Sequence, residues 1–420
     1  MFLGFIFLGV LLLLILLGVP VAFSLAGTTL LGLFYMGGWG AVAAMSNTAW
    51  STTSEFVLTA IPLFILMSEI IGATGIGRDL FIAVERFLGR ISGGQAVATV
   101  VACAIFGAVS GTAVGVAAVI GGVAIPEMLS RGYSRRIATG AVAGGSPLGM
   151  IIPPSLPLII YGVVTETPIA DLFLAGIVPG VIITVLCCVC VSFMVRRSDI
   201  RSDPMDTASA FESIKLSMPV VLLIVLVIGS IYAGIATPTE AAAVGAVGAF
   251  VIAGIQGRLT WQRIVSSLYA SARISAMLLF VLVGAMLFGY LLGITRMPQE
   301  LTALVVELEV SRWLVFALIM LAFFILGMFL EVTSIILITM PVIFPTVVAL
   351  HFDPVWFAIV LMANMSLAVV TPPVGLCLYV VKSCAPETSL RDVILGTAPL
   401  MMMYVLVLIA LCFFPGLAIY

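Results

Sequence analysis

The chain has 420 residues, of which 63% are hydrophobic and 9% charged, and its formal net charge is −2. This composition cannot cover the surface of a water-soluble protein, so the chain is predicted to lie in a lipid bilayer, with room for on the order of ten spans. The charge excludes a nucleic-acid partner, which would need a basic face. His351 is the only histidine, which removes most serine–histidine and metal-hydrolase mechanisms, so an enzyme is not expected.

The N-terminal segment begins Met1-Phe2-Leu3-Gly4, with no basic residue before its apolar run and no small-residue cleavage pattern. We therefore expect a retained first span and no signal peptide. The seven cysteines are scattered, so neither a disulfide framework nor a zinc site is expected. Long apolar stretches predict ordinary spanning helices at 2–18, 20–36, 56–75, 172–195, 216–236, 239–256, 276–294 and 393–416.

Four other apolar stretches carry interruptions. Residues 93–130 and 312–350 each contain two apolar arms about a small or polar centre, which predicts re-entrant hairpins. Residues 134–165 and 355–382 are interrupted by glycines and by a Pro-Pro pair, which predicts broken helices. All four lie between the predicted spanning helices in the chain order.

Three segments between the apolar stretches are more polar. Residues 78–92 and 258–275 mix apolar and arginine side chains at helical spacing, as an amphipathic helix at the membrane interface does. We interpret them as arms that brace a stationary frame, with a solvated loop as the alternative. Residues 196–215 are charged and rich in Asp and Ser, and they predict a cytoplasmic linker.

An internal repeat organises these elements. At an offset of about 219 residues, Pro153-Pro154 falls on Pro372-Pro373, and Pro126 falls on Pro345. We predict an all-α polytopic membrane protein with a first repeat at 1–195, the linker, and a second repeat at 216–420. Each half would hold about five spanning helices and one hairpin, and an odd number of crossings inverts the second half.

Charged loops indicate how the halves lie in the membrane. The base of the first hairpin carries Arg131, Arg135 and Arg136, whereas the equivalent loop at 351–354 has no Lys or Arg. Because cytoplasmic loops are enriched in Lys and Arg, the first hairpin is predicted to open to the cytoplasm and the second to the periplasm. The segments before them agree, since 78–90 is arginine-rich and 297–311 acidic. Both termini would then be periplasmic.

The interrupted helices are the predicted site of function. A helix broken inside a bilayer leaves backbone groups unpaired at a cost of several kcal/mol, unless a ligand, an ion or a cavity uses them. Carbonyls at half-helix C-termini suit a cation, and amides at half-helix N-termini suit an anion. Hydroxyls that could complete an oxygen shell around Na⁺ belong to Ser110, Thr112, Ser146, Ser155 and Thr371. The candidate solute-binding residues are Ser110, Gly111, Thr112, Ser146, Pro147, Glu331, Thr333 and Asn364.

Several of these features also have a structural interpretation. Gly107, Gly111 and Gly115 recur every four residues, as in an ordinary helix-packing face. Glu331, at the tip of the second hairpin, and Glu240, just inside a span, are intramembrane carboxylates and hence functional candidates. Each could instead cap a helix N-terminus, which we favour for Glu240 and leave open for Glu331.

With these motifs in view, the chain resembles, over essentially its whole length, the large membrane subunit of tripartite ATP-independent periplasmic (TRAP) transporters, the DctM-like family. The residues that carry the resemblance are Thr237-Pro238-Thr239-Glu240-Ala241-Ala242-Ala243, Ile152-Pro153-Pro154-Ser155, Asn364-Met365 and Thr371-Pro372-Pro373-Val374-Gly375. Family members often have an acidic residue and a glycine where this chain has Ser366 and Ala368, and an asparagine near Cys377. These departures make the solute harder to infer.

The resemblance implies a multi-pass protein of the bacterial inner membrane, similar in design to elevator-type ion transporters. It implies Na⁺-driven uptake of an organic acid of the C4-dicarboxylate or sialic acid type, a small four-helix (Q-type) membrane subunit and a soluble periplasmic (P-type) binding protein, with no organic cofactor. A self-sufficient Na⁺/dicarboxylate symporter is the alternative. The resemblance places one sodium site at Gly327, Ala368, Thr371 and Val374, and the repeat places its twin at Ala108, Gly149, Ile152 and Ser155, with Ser110 nearby.

Overall fold

The computed structural model describes residues 2–88, 93–196, 210–307 and 310–418, and the regular elements within these ranges are helices. The predicted all-α class is confirmed. The first half comprises α1 (Phe2–Leu16), α2 (Val21–Thr53), α3 (Ala60–Ala73), α4 (Ile76–Leu88), α5 (Gly94–Ser110), α6 (Ala113–Ser130), α7 (Arg135–Gly145), α8 (Leu156–Thr165) and α9 (Ile169–Arg196).

The second half comprises α10 (Ala210–Tyr232), α11 (Pro238–Ile255), α12 (Trp261–Ile294), α13 (Met297–Glu307), α14 (Arg312–Phe329), α15 (Val332–Ala349), α16 (Pro354–Ala368), α17 (Leu376–Cys384) and α18 (Leu390–Phe413). Short 3-10 helices occupy Phe56–Thr59, Ser146–Met150 and Pro415–Leu417. Within the described ranges, nine helical stretches are long and apolar enough to cross a bilayer. The chain is a multi-pass membrane protein.

Each of the four ranges predicted as a hairpin or a broken helix contains two helices, and the re-entrance of the hairpins into the membrane stays a prediction. Hairpin one is the pair α5–α6 and hairpin two is the pair α14–α15. The first broken helix is α7–α8 and the second is α16–α17. In each broken helix, the peptide bond between the paired prolines, Pro153-Pro154 and Pro372-Pro373, is cis.

The helices recur along the chain at the offset of the sequence repeat. Hairpin one begins its second helix at Ala113, and hairpin two begins its second helix at the equivalent position, Val332. The two broken helices begin at Arg135 and Pro354, which are separated by the same offset. The division into two repeats and the inverted orientation of the second half stay predictions.

The predicted amphipathic arm at 258–275 is not a separate helix, because α12 runs without interruption from Trp261 to Ile294. The side chains become apolar near Ser275, but no glycine or proline stands there to end the helix. Helical hydrogen bonds therefore continue past the change in polarity. The polarity pattern marks a change of environment along one helix.

Helix α2 is also longer than predicted. The span was expected to end at residue 36, and the helix continues to Thr53 across a kink at Gly37 and Gly38. Gly38 has a φ of 59°, a conformation that glycine adopts without steric cost. The predicted end therefore coincides with the kink.

Some predictions lie wholly or partly outside the described residues. Residues 197–209 of the predicted linker are not described, nor are 89–92 of the first arm and 308–309 of the acidic segment. The linker was expected to reach residue 215, but α10 begins at Ala210. Residues 210–215 are mixed in polarity, so the apolar pattern alone placed the helix start too late.

The broken helix α7 packs closely against α18, which belongs to the other half of the chain. A Cβ atom added to Gly140 would lie 2.3 Å from the carbonyl oxygen of Gly396, and one added to Gly396 would lie 2.0 Å from the carbonyl oxygen of Arg136. Tyr404 on α18 donates a hydrogen bond to the carbonyl oxygen of Gly144 at 2.8 Å. These contacts join the two halves of the chain along α7, on the N-terminal side of the first break.

The base of hairpin one is tied to α4 by a buried carboxylate. Gln95 Nε2 donates to Glu85 Oε1 at 2.7 Å, and Arg131 Nη1 lies 3.3 Å from the same oxygen. Burial raises the pKa of Glu85, and the nearby Arg131 guanidinium opposes that shift. Arg131 also pairs with Glu127 at 2.7 Å.

The base of hairpin two is aromatic instead. The rings of Phe352 and Trp356 stack with centroids 5.5 Å apart, and Phe316 packs against both at 5.2 Å. The guanidinium of Arg312 lies 5.5 Å from the ring centre of Phe352, within cation–π range. The two hairpins thus use different chemistry to fix their bases.

Candidate functional site

The first site combines the tip of hairpin one, residues 110–112, with the break between α7 and α8, residues 146–155. Helix α5 ends at Ser110, and Gly111 adopts a φ of 65° to turn the chain. Thr112 then caps α6 by accepting a hydrogen bond from the Gly115 amide at 3.3 Å. The hydroxyl oxygens of Ser110 and Thr112 are 3.2 Å apart, so the tip holds two neighbouring oxygens.

A backbone hydrogen bond joins the break of the first site to this tip, from the Leu156 amide to the Gly111 carbonyl at 3.4 Å. Within the break, Ser155 Oγ donates to the Met150 carbonyl at 2.6 Å. A Cβ atom on Gly107 would lie only 2.6 Å from Gly149 Cα. Gly107 and Gly149 therefore cross at a distance that leaves no room for a side chain.

The second site combines the tip of hairpin two, residues 330–331, with the break between α16 and α17, residues 369–375. Glu331 caps α15, since its Oε2 accepts a hydrogen bond from the Ser334 amide at 3.1 Å. The buried Thr333 donates its hydroxyl to the other carboxylate oxygen. The capping interpretation left open for Glu331 is what the geometry shows, and its side chain remains exposed.

The second break contacts its hairpin in a corresponding way. The Gly375 amide donates to the Met328 carbonyl at 3.0 Å, and Gly375 occupies the position equivalent to Leu156 in the repeat. Thr371 Oγ1 donates to the Leu367 carbonyl at 2.7 Å. A Cβ atom on Gly327 would meet the Cβ of Ala368 at 2.7 Å, so this crossing, unlike the first, involves a side chain.

A hydrogen bond between the halves joins the last turn of α16, just before the second break, to the first break. Ser366 Oγ donates to the Pro147 carbonyl at 3.3 Å, and these residues are 219 positions apart in the chain. Both residues are buried. In the sequence, Ser366 stands out only as a departure from the family pattern. Its position at the repeat offset from Pro147 was the signal that could have identified it.

The remaining candidate residues do not all lie at the breaks. Asn364 lies within α16 before the break. Its side-chain amide Nδ2 donates to the Met320 carbonyl at 2.9 Å and joins α16 to α14. Ser146 donates to the Ala143 carbonyl at 3.1 Å on the N-terminal side of the first break. Ala108 is buried, while Ile152 and Val374 are half-buried beside the paired prolines.

The hydroxyls at these sites keep the capacity to bind a cation. Ser155 and Thr371 each use their proton on a carbonyl of their own segment. A hydroxyl oxygen that donates one hydrogen bond still has lone pairs to offer, and oxygen ligands suit hard cations. Hydroxyl oxygens and interrupted helices thus meet at both sites.

Glu240 takes no part in either site. It forms a capping box at the start of α11, in which the Thr237 amide donates to Glu240 Oε2 at 2.8 Å and the Glu240 amide donates to Thr237 Oγ1 at 3.3 Å. This is the structural interpretation that we favoured from the sequence.

Comparison with known proteins gives one consistent result. A family model described as "Tripartite ATP-independent periplasmic transporter, DctM component" matches residues 8–417. The chain is 33% identical over 380 residues to the C4-dicarboxylate TRAP transporter large permease protein DctM of Pseudomonas aeruginosa, covering 90% of this chain and 89% of that protein. It is 30% identical over 409 residues to the isethionate TRAP transporter permease protein DctMQ of Oleidesulfovibrio alaskensis, covering 96% of this chain and 64% of that protein.

The fold is shared with solved transporters of low sequence identity. The YdaH transporter of Alcanivorax borkumensis superposes with a TM-score of 0.65 at 14% identity, covering 99% of this chain and 98% of that one. This likeness concerns the fold alone. The sequence relatives are transporter permease proteins and not enzymes, so the expectation that this chain is not an enzyme is confirmed.

Proposed function

We infer the function of this chain from one premise: it belongs to the DctM family of tripartite ATP-independent periplasmic transporters. It is therefore a large permease subunit of a TRAP transporter. We propose that it carries an organic acid of the C4-dicarboxylate or sialic acid type across the bacterial inner membrane, and that Na⁺ moving down its gradient drives the import.

The observation that carries this proposal is the junction of two interrupted helices through Ser366 and Pro147. Unpaired backbone groups in a bilayer are costly, so two such interruptions meeting in one place favour a site that uses them. The proposed sodium ligands are Gly327, Ala368, Thr371 and Val374 at the second site and Ala108, Gly149, Ile152 and Ser155 at the first, with Ser110 nearby.

We expect the solute anion to bind more strongly at the first site than at the second. The N-terminus of α6 presents only the hydroxyls of Ser110 and Thr112, whereas the N-terminus of α15 already carries the carboxylate of Glu331. Like charges repel in a region of low dielectric constant, so a carboxylate solute is expected at Ser110, Gly111, Thr112, Ser146 and Pro147. At the second site a cation compensates for the charge of Glu331.

We propose that the solute crosses by an elevator motion, in which the hairpins and broken helices move as one body against a frame. The close crossing of α7 and α18 supports one body built from both halves. The frame would include α12. Helix α4 would link the frame to the moving body, because Asp79 pairs with Arg258, just before α12, at 2.5 Å and Glu85 bonds to hairpin one. Both chain termini would face the periplasm.

Two partners are proposed, a small four-helix membrane subunit and a periplasmic binding protein that delivers the solute. The family description calls the transporter tripartite, and the related DctMQ protein is longer than this chain. A self-sufficient Na⁺/dicarboxylate symporter remains the alternative function, because the same helix breaks could serve it without partners.

The test is reconstitution of this chain with the small subunit in proteoliposomes. Radiolabelled succinate and N-acetylneuraminate serve as probes, with and without the binding protein, under an imposed gradient of Na⁺ or of K⁺. Uptake is expected only with the Na⁺ gradient and the binding protein. Equal uptake without the binding protein favours the symporter, and equal uptake with K⁺ contradicts sodium coupling.

A further inference from the structure

A separate cavity of about 570 Å³ lies at the far end of α8 from the first break. Gly162 of α8 lines the cavity and lies seven residues beyond Ser155 at the end of the break, or about 10 Å along the helix. The cavity is also lined by the C-terminal end of α2, the 3-10 helix that follows it, the turn from α8 to α9, the start of α11, and Met286 of α12. None of the proposed transport residues lines it. Its volume falls within the range of small-molecule sites, roughly 300–1,000 Å³.

The walls of this cavity are apolar and its charges are acidic. The apolar lining residues are Phe56, Val57, Leu58, Val163, Ile169 and Met286. Glu55 and Glu166 also line it, and the lining includes no Lys or Arg. Neither carboxylate has an ion pair or a side-chain hydrogen bond with the described residues. Both carboxylates are exposed, so the cavity combines apolar walls with negative charge on its solvent-accessible side.

One hydroxyl of the lining is open to the cavity. Thr239 is only 6% exposed as a residue, it lines the cavity, and its hydroxyl makes no hydrogen bond to the described part of the chain. The other threonine hydroxyls of the lining are occupied: Thr52 donates to the Thr48 carbonyl, Thr167 pairs with Thr165, and Thr237 donates to Glu240. The Thr239 hydroxyl can therefore donate a hydrogen bond to, or accept one from, a molecule in the cavity.

We propose that this cavity binds a small organic ammonium ion with an apolar body, at a site distinct from the transported anion. Glu55 and Glu166 supply the opposite charge, and the ring of Phe56 supplies a face for a quaternary ammonium group. The apolar walls hold the rest of the ligand, which leaves water as it binds. An organic anion is repelled by the same carboxylates. This inference goes beyond the proposed function and does not depend on it.

The test measures binding directly, with benzyltrimethylammonium as the probe and benzylsulfonate as its anionic counterpart. Full-length protein in nanodiscs is titrated with each, and binding is followed by saturation-transfer difference NMR and by the shift in melting temperature. The cation is expected to bind and to raise the melting temperature, and the anion to do neither.

Three variants locate the binding. The double variant Glu55→Gln with Glu166→Gln keeps the shape of the cavity and is expected to weaken binding of the cation by about tenfold or more. Met286→Trp fills the cavity and is expected to abolish binding. Glu387→Gln, which removes an exposed carboxylate beside Arg135 and outside the cavity, serves as the matched control and is expected to bind as the wild type does. Equal binding of cation and anion, or equal binding by wild type and the double variant, overturns the proposal, as does the absence of binding to the wild type.

Discussion

The two sites share a backbone pattern. They differ in their side chains and in how closely the hairpin approaches the broken helix. At the first site, two glycines cross backbone to backbone, and residues 146–151 of the break are buried. At the second site, a glycine meets an alanine, and Thr371, Pro372 and Pro373 are half-buried or exposed. The first site is therefore the more rigidly packed, and the second has more room to rearrange.

The chemistry of the tips differs as well. The first tip offers hydroxyls to the N-terminus of α6, and the second offers a carboxylate to the N-terminus of α15. The two tips thus both stand at the start of a helix and differ in charge. We expect the first site to favour the anion and the second to favour the cation.

The largest expected loss of stability comes from a substitution where Gly107 crosses Gly149 at the first site. Gly107→Ala places a Cβ atom 2.6 Å from Gly149 Cα, and backbone atoms cannot move aside as a side chain can. Overpacking of this kind costs about 3 kcal/mol. Gly327→Ala, which meets the Ala368 side chain and Met365 Sδ, is expected to cost less.

Thermal unfolding in detergent measures these differences. Gly122→Ala on the same hairpin is the control, because a Cβ atom there has no neighbour within 4 Å. It is expected to be neutral or slightly stabilising, as alanine favours a helix more than glycine does. Equal destabilisation by Gly107→Ala and Gly122→Ala would contradict the close crossing.

The next effect concerns sodium at the second site. Thr371→Val replaces a hydroxyl by a methyl group of similar volume and is expected to weaken the apparent Na⁺ affinity by about 2 kcal/mol, or roughly thirtyfold. Sodium-dependent uptake in proteoliposomes gives the affinity. Thr339→Val is the control, since Thr339 lies inside α15 and bonds only to the Ile335 carbonyl. An unchanged sodium dependence in Thr371→Val removes this hydroxyl from the ion site.

A smaller effect is expected for the cap at the second tip. Glu331→Ala removes the hydrogen bond to the Ser334 amide and is expected to lower stability by about 1 kcal/mol. Glu331→Gln keeps an oxygen that can cap α15 but loses the charge. If the carboxylate also compensates for a cation, Glu331→Gln lowers the apparent Na⁺ affinity while preserving stability. Identical sodium affinity in Glu331→Gln and wild type would leave Glu331 as a cap alone.

The smallest effect concerns the base of hairpin one, where Glu85 has no acidic counterpart in the second repeat because Leu304 occupies the equivalent position. Burial raises the pKa of Glu85 above its usual 4.5. The stability that this group contributes is therefore complete below pH 4.5 and is lost as the pH rises through the raised pKa.

The comparison of wild type with Glu85→Gln isolates this contribution. As the pH is raised from acid to neutral, the wild type is expected to lose stability relative to the variant, which has no carboxylate to ionise. Melting temperatures of both proteins across this range give the difference. Parallel curves would show that ionisation of Glu85 carries no cost in the folded protein.

Much of the fold followed from the sequence because its strongest signals are local. The Pro-Pro pairs cannot lie inside a regular helix, so Pro153-Pro154 and Pro372-Pro373 located both breaks. The continuity of α12 could not be predicted from polarity, since a helix ends at a breaker or a cap and not where its surroundings change. The glycine pair at 37 and 38 gave a kink where an end was expected.

The site was less predictable, because its decisive contacts join distant parts of the chain. The bond from Ser366 to Pro147 depends on how the two halves pack, which no local pattern encodes. The same holds for the crossing of Gly107 with Gly149 and for the tie from Asn364 to Met320. The capping role of Glu331 was undecided for a different reason, since a carboxylate at a helix start suits both a cap and an ion site.

The proposed transport mechanism requires the two halves to be inverted in the membrane. Only then would the first and second sites lie opposite each other. Sided labelling tests it directly. With the seven native cysteines replaced, single cysteines are introduced as His351→Cys and Arg135→Cys and exposed in intact cells to an impermeant thiol reagent. We predict that His351→Cys is labelled from the periplasm and that Arg135→Cys is labelled only after the membrane is opened. Labelling of both from the same side would contradict the inverted arrangement.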